Sequence, residues 1–338
     1  MEYVLGLDAG GTKSHLALFD IEGTLVDFGC WGSLNHESFP GSFKQFKSEA
    51  RRFINGILKK NNIAFNQVTS AAFGVAGVDI KPQHDTISKI MSEIGFKKFT
   101  LANDAFLGIS AGSPSCYGIC AINGTGCTIV GADKKGKMFQ IGGVGFISDD
   151  YGGGGMLGRL VISSVYSEFF RKGEPTCMTP LLMDILGIKS KYDFVERIYK
   201  KSEDNSLDIR DLSRLLFDAA IKNDKVSLDI LTCAGINYAN GICAMIEELE
   251  FEKYPDDDLY IVLAGSVFSK GEHPKIIDTI KEKLKISNPV LNLKYTLLKV
   301  PPVAGAVYWA LNNLNITGKE NCYAKIISQF ENIEEKIK

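Results

Sequence analysis

The chain holds only four histidines and two tryptophans in 338 residues, has no Cys-x-x-Cys pair, and carries almost no net charge at −2. Each shortage excludes something. His15, His36, His84 and His273 are too dispersed to build a metal centre. The eight cysteines (30, 116, 120, 127, 177, 233, 243 and 322) are scattered through apolar segments, so a reduced compartment with cysteines as small hydrophobes is expected. Cys116 and Cys120, four apart on an alternating strand, give no tetrahedral zinc site by themselves. The near-neutral charge and the absence of a clustered basic run leave no footprint for nucleic acid. No apolar run approaches the roughly 20 residues that span a bilayer. The chain enters a strand at Tyr3 without a basic segment and apolar core ahead of it, so the expectation is a soluble, cytoplasmic protein.

What the chain does have is glycine, 34 of them, concentrated at strand ends. The segment Leu5-Gly-Leu-Asp-Ala-Gly-Gly-Thr-Lys-Ser14 joins two apolar strands through a tight turn. Without Cβ atoms, Gly10 and Gly11 let the backbone N–H groups approach a polyphosphate, while Thr12 and Lys13 add a hydroxyl and a charge. Asp8, at the strand end, is placed to hold a Mg²⁺ ion through water. An ordinary hairpin with a Gly-Gly turn would read the same way in isolation. The rest of the chain favours the phosphate loop.

The periodicity predicts strands near Tyr3–Leu7, Ser14–Phe19 and Thr24–Cys30, a helix over Phe43–Leu58, a buried strand Ser70–Val75, a helix Gln83–Ile94, a strand Phe99–Ala102 and a short helix Ala105–Ala111. The pattern then restarts with Gly118–Ile122, Gly126–Gly131 and Met138–Ile141, where Asn123-Gly-Thr-Gly126 echoes the first glycine turn. This suggests an internal duplication around a cleft. A helical stretch follows from about Tyr151 to Glu250, with Asp224–Leu249 its strongest helix and a candidate dimer surface. Then come the strand Leu259–Leu263 ending in Ala264-Gly-Ser266, the helix Lys275–Leu284, the strand Lys294–Leu298 and helices near Val303–Leu314 and Glu320–Lys336. Alternation of this kind predicts α/β sheets covered on both faces. Two domains are expected, residues 1–114 and 115–338, with a hinge at Ser110–Ser115 and the last helix free to pack on either.

Acidic and amide side chains mark the strand ends: Asn103-Asp104, and Asp149-Asp150 after Gly142-Gly-Val-Gly145. Asp104 and Asp150 each precede a helical run and would serve equally as N-caps. Asn35 would serve equally to close an Asx-turn.

Taken together, Asp8–Lys13, Phe73-Gly-Val-Ala-Gly77, Asn103-Asp104-Ala105, Asn123–Cys127 and Ala264-Gly-Ser266 resemble the actin-like ATPase and sugar kinase superfamily. Ser33-Leu-Asn-His36 and Gly142–Asp150 are similar to the N-acetylhexosamine kinase branch, which is related to the ATPase activators of 2-hydroxyacyl-CoA dehydratases. The resemblance implies two ribonuclease H-like domains with ATP and Mg²⁺ in the interdomain cleft. It implies Asp104 as the base toward a sugar 6-hydroxyl, with Asn35, Asn103, Gly143 and either Asp149 or Asp150 around N-acetylglucosamine or N-acetylmuramic acid. Gly10, Gly11, Thr12, Lys13, Gly124, Thr125 and Gly126 would then hold phosphate, Gly265 and Ser266 would border adenosine, and the enzyme would be a homodimer. The Asp-x-Gly-Gly-Thr-Lys opening also occurs in the repressor and sugar kinase family, whose cysteine-rich zinc motif is missing here. A dehydratase activator would instead need cysteines bridging an iron–sulfur cluster, for which Cys127 and Cys177 are the candidates. A non-catalytic sugar sensor of the same fold would have no use for Asp104.

Overall fold

The structure, a computed structural model, describes residues 1–314, 320–331 and 333. Two five-stranded mixed sheets carry it. The first contains β1 (Tyr3–Ala9), β2 (Lys13–Asp20) and β3 (Leu25–Gly32) as an antiparallel meander, followed by α1 (Ser42–Lys60), β4 (Val68–Val75), α2 (Lys81–Ile94), β5 (Phe99–Ala102) and the buried α3 (Leu107–Gly112). The second contains the meander β6 (Gly118–Asn123), β7 (Cys127–Ala132) and β8 (Met138–Gly142). It is followed by α4 (Gly154–Phe170), α5 (Met178–Leu186), α6 (Phe194–Glu203), α7 (Ser213–Ala220), α8 (Lys225–Glu248), β9 (Asp258–Ala264), α9 (Ser266–Lys270), α10 (Lys275–Ser287) and β10 (Asn292–Leu297). Two helices close the described chain, α11 (Val303–Asn312) and α12 (Glu320–Glu331). Of the helix expected over Glu320–Lys336, positions 332 and 334–336 lie outside the described residues.

The sheets have the same topology. Their orders are β3-β2-β1-β4-β5 and β10-β9-β6-β7-β8. In each, a strand pairs antiparallel with its hairpin partner and parallel with a strand that returns after a helical crossover. Both glycine turns therefore occupy equivalent places, at the first hairpin of each sheet.

Side-chain alternation explains the layers. Along β1, Leu5 and Leu7 join the core formed with α1 and α2, while Val4, one residue out of phase, joins a second core with Val303, Val307 and Phe330. Helix α1 presents Phe46, Ala50, Phe53, Ile54 and Ile57 at helical spacing to the sheet, and Lys59 and Lys60 in its last turn suit the negative end of its dipole. The first sheet is thus covered by α1 and α2 on one side and by α11 and α12 on the other. In the second sheet, Ile119, Ala121, Ile261 and Leu263 face α8 and α10, and Cys120, Val130 and Val262 face α3. The apolar stripe of α8 that looked available to a second subunit is used inside this one: Leu231, Ala234, Tyr238, Ile242, Met245 and Ile246 are buried.

Glycines let the two halves meet. A Cβ on Gly305 of α11 would lie 2.0 Å from the Leu107 carbonyl oxygen and 2.6 Å from the Ala111 nitrogen, both backbone atoms of α3. A Cβ on Gly6 would lie 2.6 Å from the Val307 nitrogen, again backbone. Helix α11 therefore lies directly on α3 and β1, and the Tyr308 hydroxyl donates to the Pro114 carbonyl just beyond α3. The segment expected to hinge, 110–115, is the end of that buried helix and a turn in which Ser113 Oγ and Ser115 Oγ both donate to the Tyr117 carbonyl, at 3.1 and 3.2 Å.

Because no flexible side chain can yield at these contacts, Gly305→Ala should destabilise the protein by about 1–3 kcal/mol or more, as overpacking does. Urea unfolding of the variant against the parent protein measures this, and an unchanged midpoint would contradict the packing.

Candidate functional site

A cleft of about 820 Å³ has walls from both sheets. A second hollow of about 570 Å³ adjoins it, sharing Ser266 and Lys270 and bounded by Gly124, Thr125, Gly154, Arg210 and Arg214.

The floor of the cleft is acidic. Asp104 follows β5, and the cap it was free to provide is supplied by its neighbour: Asn103 Oδ1 accepts from the Ala105 amide at 2.9 Å. The Asp104 carboxyl is left facing the cleft. Burial, then the negative charges of Asp8 and Asp79, push its pKa up to about 7. Asp79 stands beyond the end of β4 and accepts from Asn103 Nδ2 at 2.9 Å and from Gln140 Nε2 at 3.4 Å, so it ties the first sheet to β8 of the second. Asp8 ends β1 beside buried His15, whose Nδ1 is 3.8 Å away. Among the described residues neither His15 ring nitrogen has a hydrogen-bond partner.

The two glycine turns differ in their support. In the first, Gly11, Thr12 and Lys13 are exposed, and the Leu34 amide donates to the Gly10 carbonyl at 3.2 Å. The second is pinned to the start of α4: the Gly154 amide donates to the Gly124 carbonyl at 2.8 Å and the Gly155 amide to the Thr125 carbonyl at 3.0 Å. Gly153 is required by this approach, since a Cβ on it would lie 2.7 Å from Gly126 backbone. The start of α4 and the second turn form a close-packed joint. Gly265, at φ +98°, brings the end of β9 against β6; a Cβ there would lie 2.3 Å from the Asn123 carbonyl oxygen.

The chain matches the BadF/BadG/BcrA/BcrD ATPase family over residues 5–310. It belongs to that family. An N-acetylmuramic acid/N-acetylglucosamine kinase of Clostridium acetobutylicum is 27% identical over 308 residues, covering 91% of this chain and 97% of that one. An N-acetyl-D-glucosamine kinase of Dictyostelium discoideum is 24% identical over 322 residues, covering 92% and 98%. Among solved structures, a Chromobacterium violaceum protein provisionally named an N-acetylglucosamine kinase superposes with a TM-score of 0.62 at 17% identity, over 92% of this chain and 99% of that one. That last likeness concerns the fold alone.

In this member of the ATPase family, Asp8, Gly10, Thr12, Lys13, Asn35, Asn103, Asp104, Gly143, Gly265 and Ser266 all line the cleft. Gly124 and Thr125 line the second hollow. Asn35 closes an Asx-turn, its Oδ1 accepting from the Glu37 amide at 2.9 Å, and lines the cleft as well. The adjacent carboxylates behave differently from Asp104. Asp149 is exposed in the left-handed region at φ 54° and is not among the residues lining the cleft. Asp150 caps no helix; its Oδ1 accepts from the Gly143 amide at 3.0 Å and from Ser148, and its other oxygen lies against Gly126. Asp150 therefore braces the Gly142–Gly145 loop against the second glycine turn.

Several lining residues escaped the sequence reading. Asp79 and Glu37 had a usable signal, an acidic residue just past a parallel strand's carboxyl end and another two positions after Asn35. Thr128, Gln140 and His15 had none, because each looks like an ordinary polar position in an alternating strand. Of the cysteines considered for a shared cluster, Cys127 is buried in β7 with its thiol pushed up to about 11 by burial, and Cys177 is half-buried at the N-cap of α5. Among the described residues no helix is long and apolar enough to cross a membrane.

Asp79→Asn removes a like charge and should lower the Asp104 pKa from about 7, because the ionised form then meets less repulsion. The carboxyl carbon shift followed through a pH titration reads this directly; an unmoved titration would mean that Asp79 does not act on Asp104.

Proposed function

We propose that the protein is an ATP-dependent amino sugar kinase that transfers the γ-phosphate to the 6-hydroxyl of N-acetylglucosamine, N-acetylmuramic acid or both, in salvage of cell-wall amino sugars. The observation that carries this reading is Asp104: a carboxyl on the cleft floor, with its pKa pushed up to about 7, in a cleft that the first glycine turn lines and that adjoins the hollow lined by the second. Full-length similarity to two curated amino sugar kinases supports the substrate class.

In this reading the sugar lies between Asn35, Asn103 and the Gly143 loop, with its 6-hydroxyl on Asp104. Its oxygen bonds to the γ-phosphorus while the bond to the β,γ-bridging oxygen breaks, ADP departs, and the hydroxyl proton passes to the Asp104 carboxylate. A base with a pKa near 7 is well matched to accepting that proton near neutral pH. The backbone N–H groups of residues 10–13 and 124–126 would hold the phosphates, and the adjoining hollow behind Gly265 and Ser266 would take the nucleoside. Positioning and charge neutralisation account for most of such a transfer.

Mg²⁺ fits the donors present. Among the described residues no three His, Cys, Asp or Glu side chains converge on one point, so Asp8 would hold the ion as a single carboxylate partner, through water and phosphate oxygens. When bound, Mg²⁺ supplies charge neutralisation to the phosphates. A homodimer is part of the proposal; light scattering tests it separately.

The decisive experiment couples ADP release to an indicator with ATP and Mg²⁺, against N-acetylglucosamine, N-acetylmuramic acid, glucosamine, glucose and no sugar. Sugar-dependent turnover is expected, with Asp104→Asn slower by about 10²–10⁴-fold. That variant should also be no less stable than the parent protein at pH 8. The folded carboxyl has its pKa raised above the ordinary carboxylate value, so its ionisation costs stability progressively as pH rises toward about 7. Sugar-independent hydrolysis of ATP would contradict the kinase and favour an energy-coupling ATPase.

A further inference from the structure

The acceptor end of the cleft is bounded by Asn35, Glu37, Asp79, Asn103, Asp104 and Gln140. Three of the six are carboxylates and the other three are uncharged amides. Among the described residues lining the cleft, the lysines are Lys13, on the first glycine turn, and Lys270, on the side shared with the second hollow. Both lie toward the phosphates and nucleoside in the proposed reading.

Glu37 and Asp79 are fixed near each other. The turn at Gly77, φ +78°, packs so closely on this segment that a Cβ would lie 2.9 Å from Asn35 Oδ1 and 3.1 Å from the Glu37 carboxyl carbon. Glu37 Oε1 accepts from Gln83 Nε2 at 3.1 Å, and Asp79 is held by Asn103 and Gln140. Each retains an acceptor oxygen without a partner among these hydrogen bonds. His36, the residue before Glu37, is stacked on Phe43 with ring centroids 4.3 Å apart, and burial holds its pKa below the usual range despite the pull of Glu37 and Asp79. It therefore offers no compensating cation near neutral pH.

We propose that this end of the cleft selects against amino sugars that carry a carboxylate, with Glu37 and Asp79 setting the preference. The inference rests on the kinase reading and narrows its substrate class: neutral N-acetylglucosamine is favoured over N-acetylmuramic acid, whose lactyl carboxylate would enter a field of like charge. Both acids are exposed in the open cleft, so the discrimination is screened and salt-dependent.

The test compares kcat/KM for N-acetylglucosamine, N-acetylmuramic acid and the methyl ester of the latter. The ester keeps the lactyl bulk and removes the charge; its added methyl can contribute by burial, so the electrostatic share of its advantage is the part that falls with salt and in the variants. The ester should be used about three- to tenfold better than the acid at low ionic strength, as expected for one or two exposed charge pairs. The gap should shrink at high ionic strength and in Glu37→Gln and Asp79→Asn. Because each comparison is a ratio within one protein, loss of overall activity in either variant does not obscure it. Equal use of acid and ester, or a gap that neither salt nor either variant alters, overturns the inference while leaving the kinase intact. No turnover of any sugar removes the kinase reading, and the inference falls with it.

Discussion

The contact between α3 and α11 holds the molecule in the form the cleft needs. Helix α11 belongs in sequence to the second half, directly after β10, yet it lies on β1 and β4 of the first sheet and against α3. It reaches them because Gly6 and Gly305 present no side chain where the backbones of α11, β1 and α3 come closest. Val303 and Val307, fully buried there, contribute on the order of 1.5–3 kcal/mol each. The glycines set how close the backbones come.

On that frame the local chemistry is set by unfavourable placement. Asp8, Asp79 and Asp104 share one cleft, and the fold pays in stability to keep Asp104 partly out of water beside like charges. Hydrogen bonds from Asn103 and Gln140 to Asp79 offset part of that cost while fixing the geometry. Like charges crowded in this way raise carboxyl pKa values toward neutrality, which is why strained electrostatics and function so often coincide.

Much of this was legible in the chain itself. Strand alternation around Leu5, Val4 and Leu7 and the helical spacing from Phe43 to Ile57 located elements to within a residue or two, because burial enforces those periods. The glycine turns and Asn103-Asp104 stood out because few backbones need such residues at strand ends. Asp150 was harder to read. Two adjacent carboxylates after a glycine loop do not say which one bridges to Gly143 and Gly126, since that depends on the left-handed conformation at Asp149. Asp79, Gln140 and Thr128 become neighbours only when two sheets close on each other, and no local pattern encodes a contact made across that distance. The use of the α8 stripe inside the subunit was hidden for the same reason.

The hydrogen bond between Leu34 and Gly10 links two parts of the cleft through main chain alone. The Leu34 amide that holds the Gly10 carbonyl precedes Asn35 by a single peptide unit. The backbone beside Asn35 and the first glycine turn are thus joined main chain to main chain, whereas the second turn is moored to a helix of 17 residues.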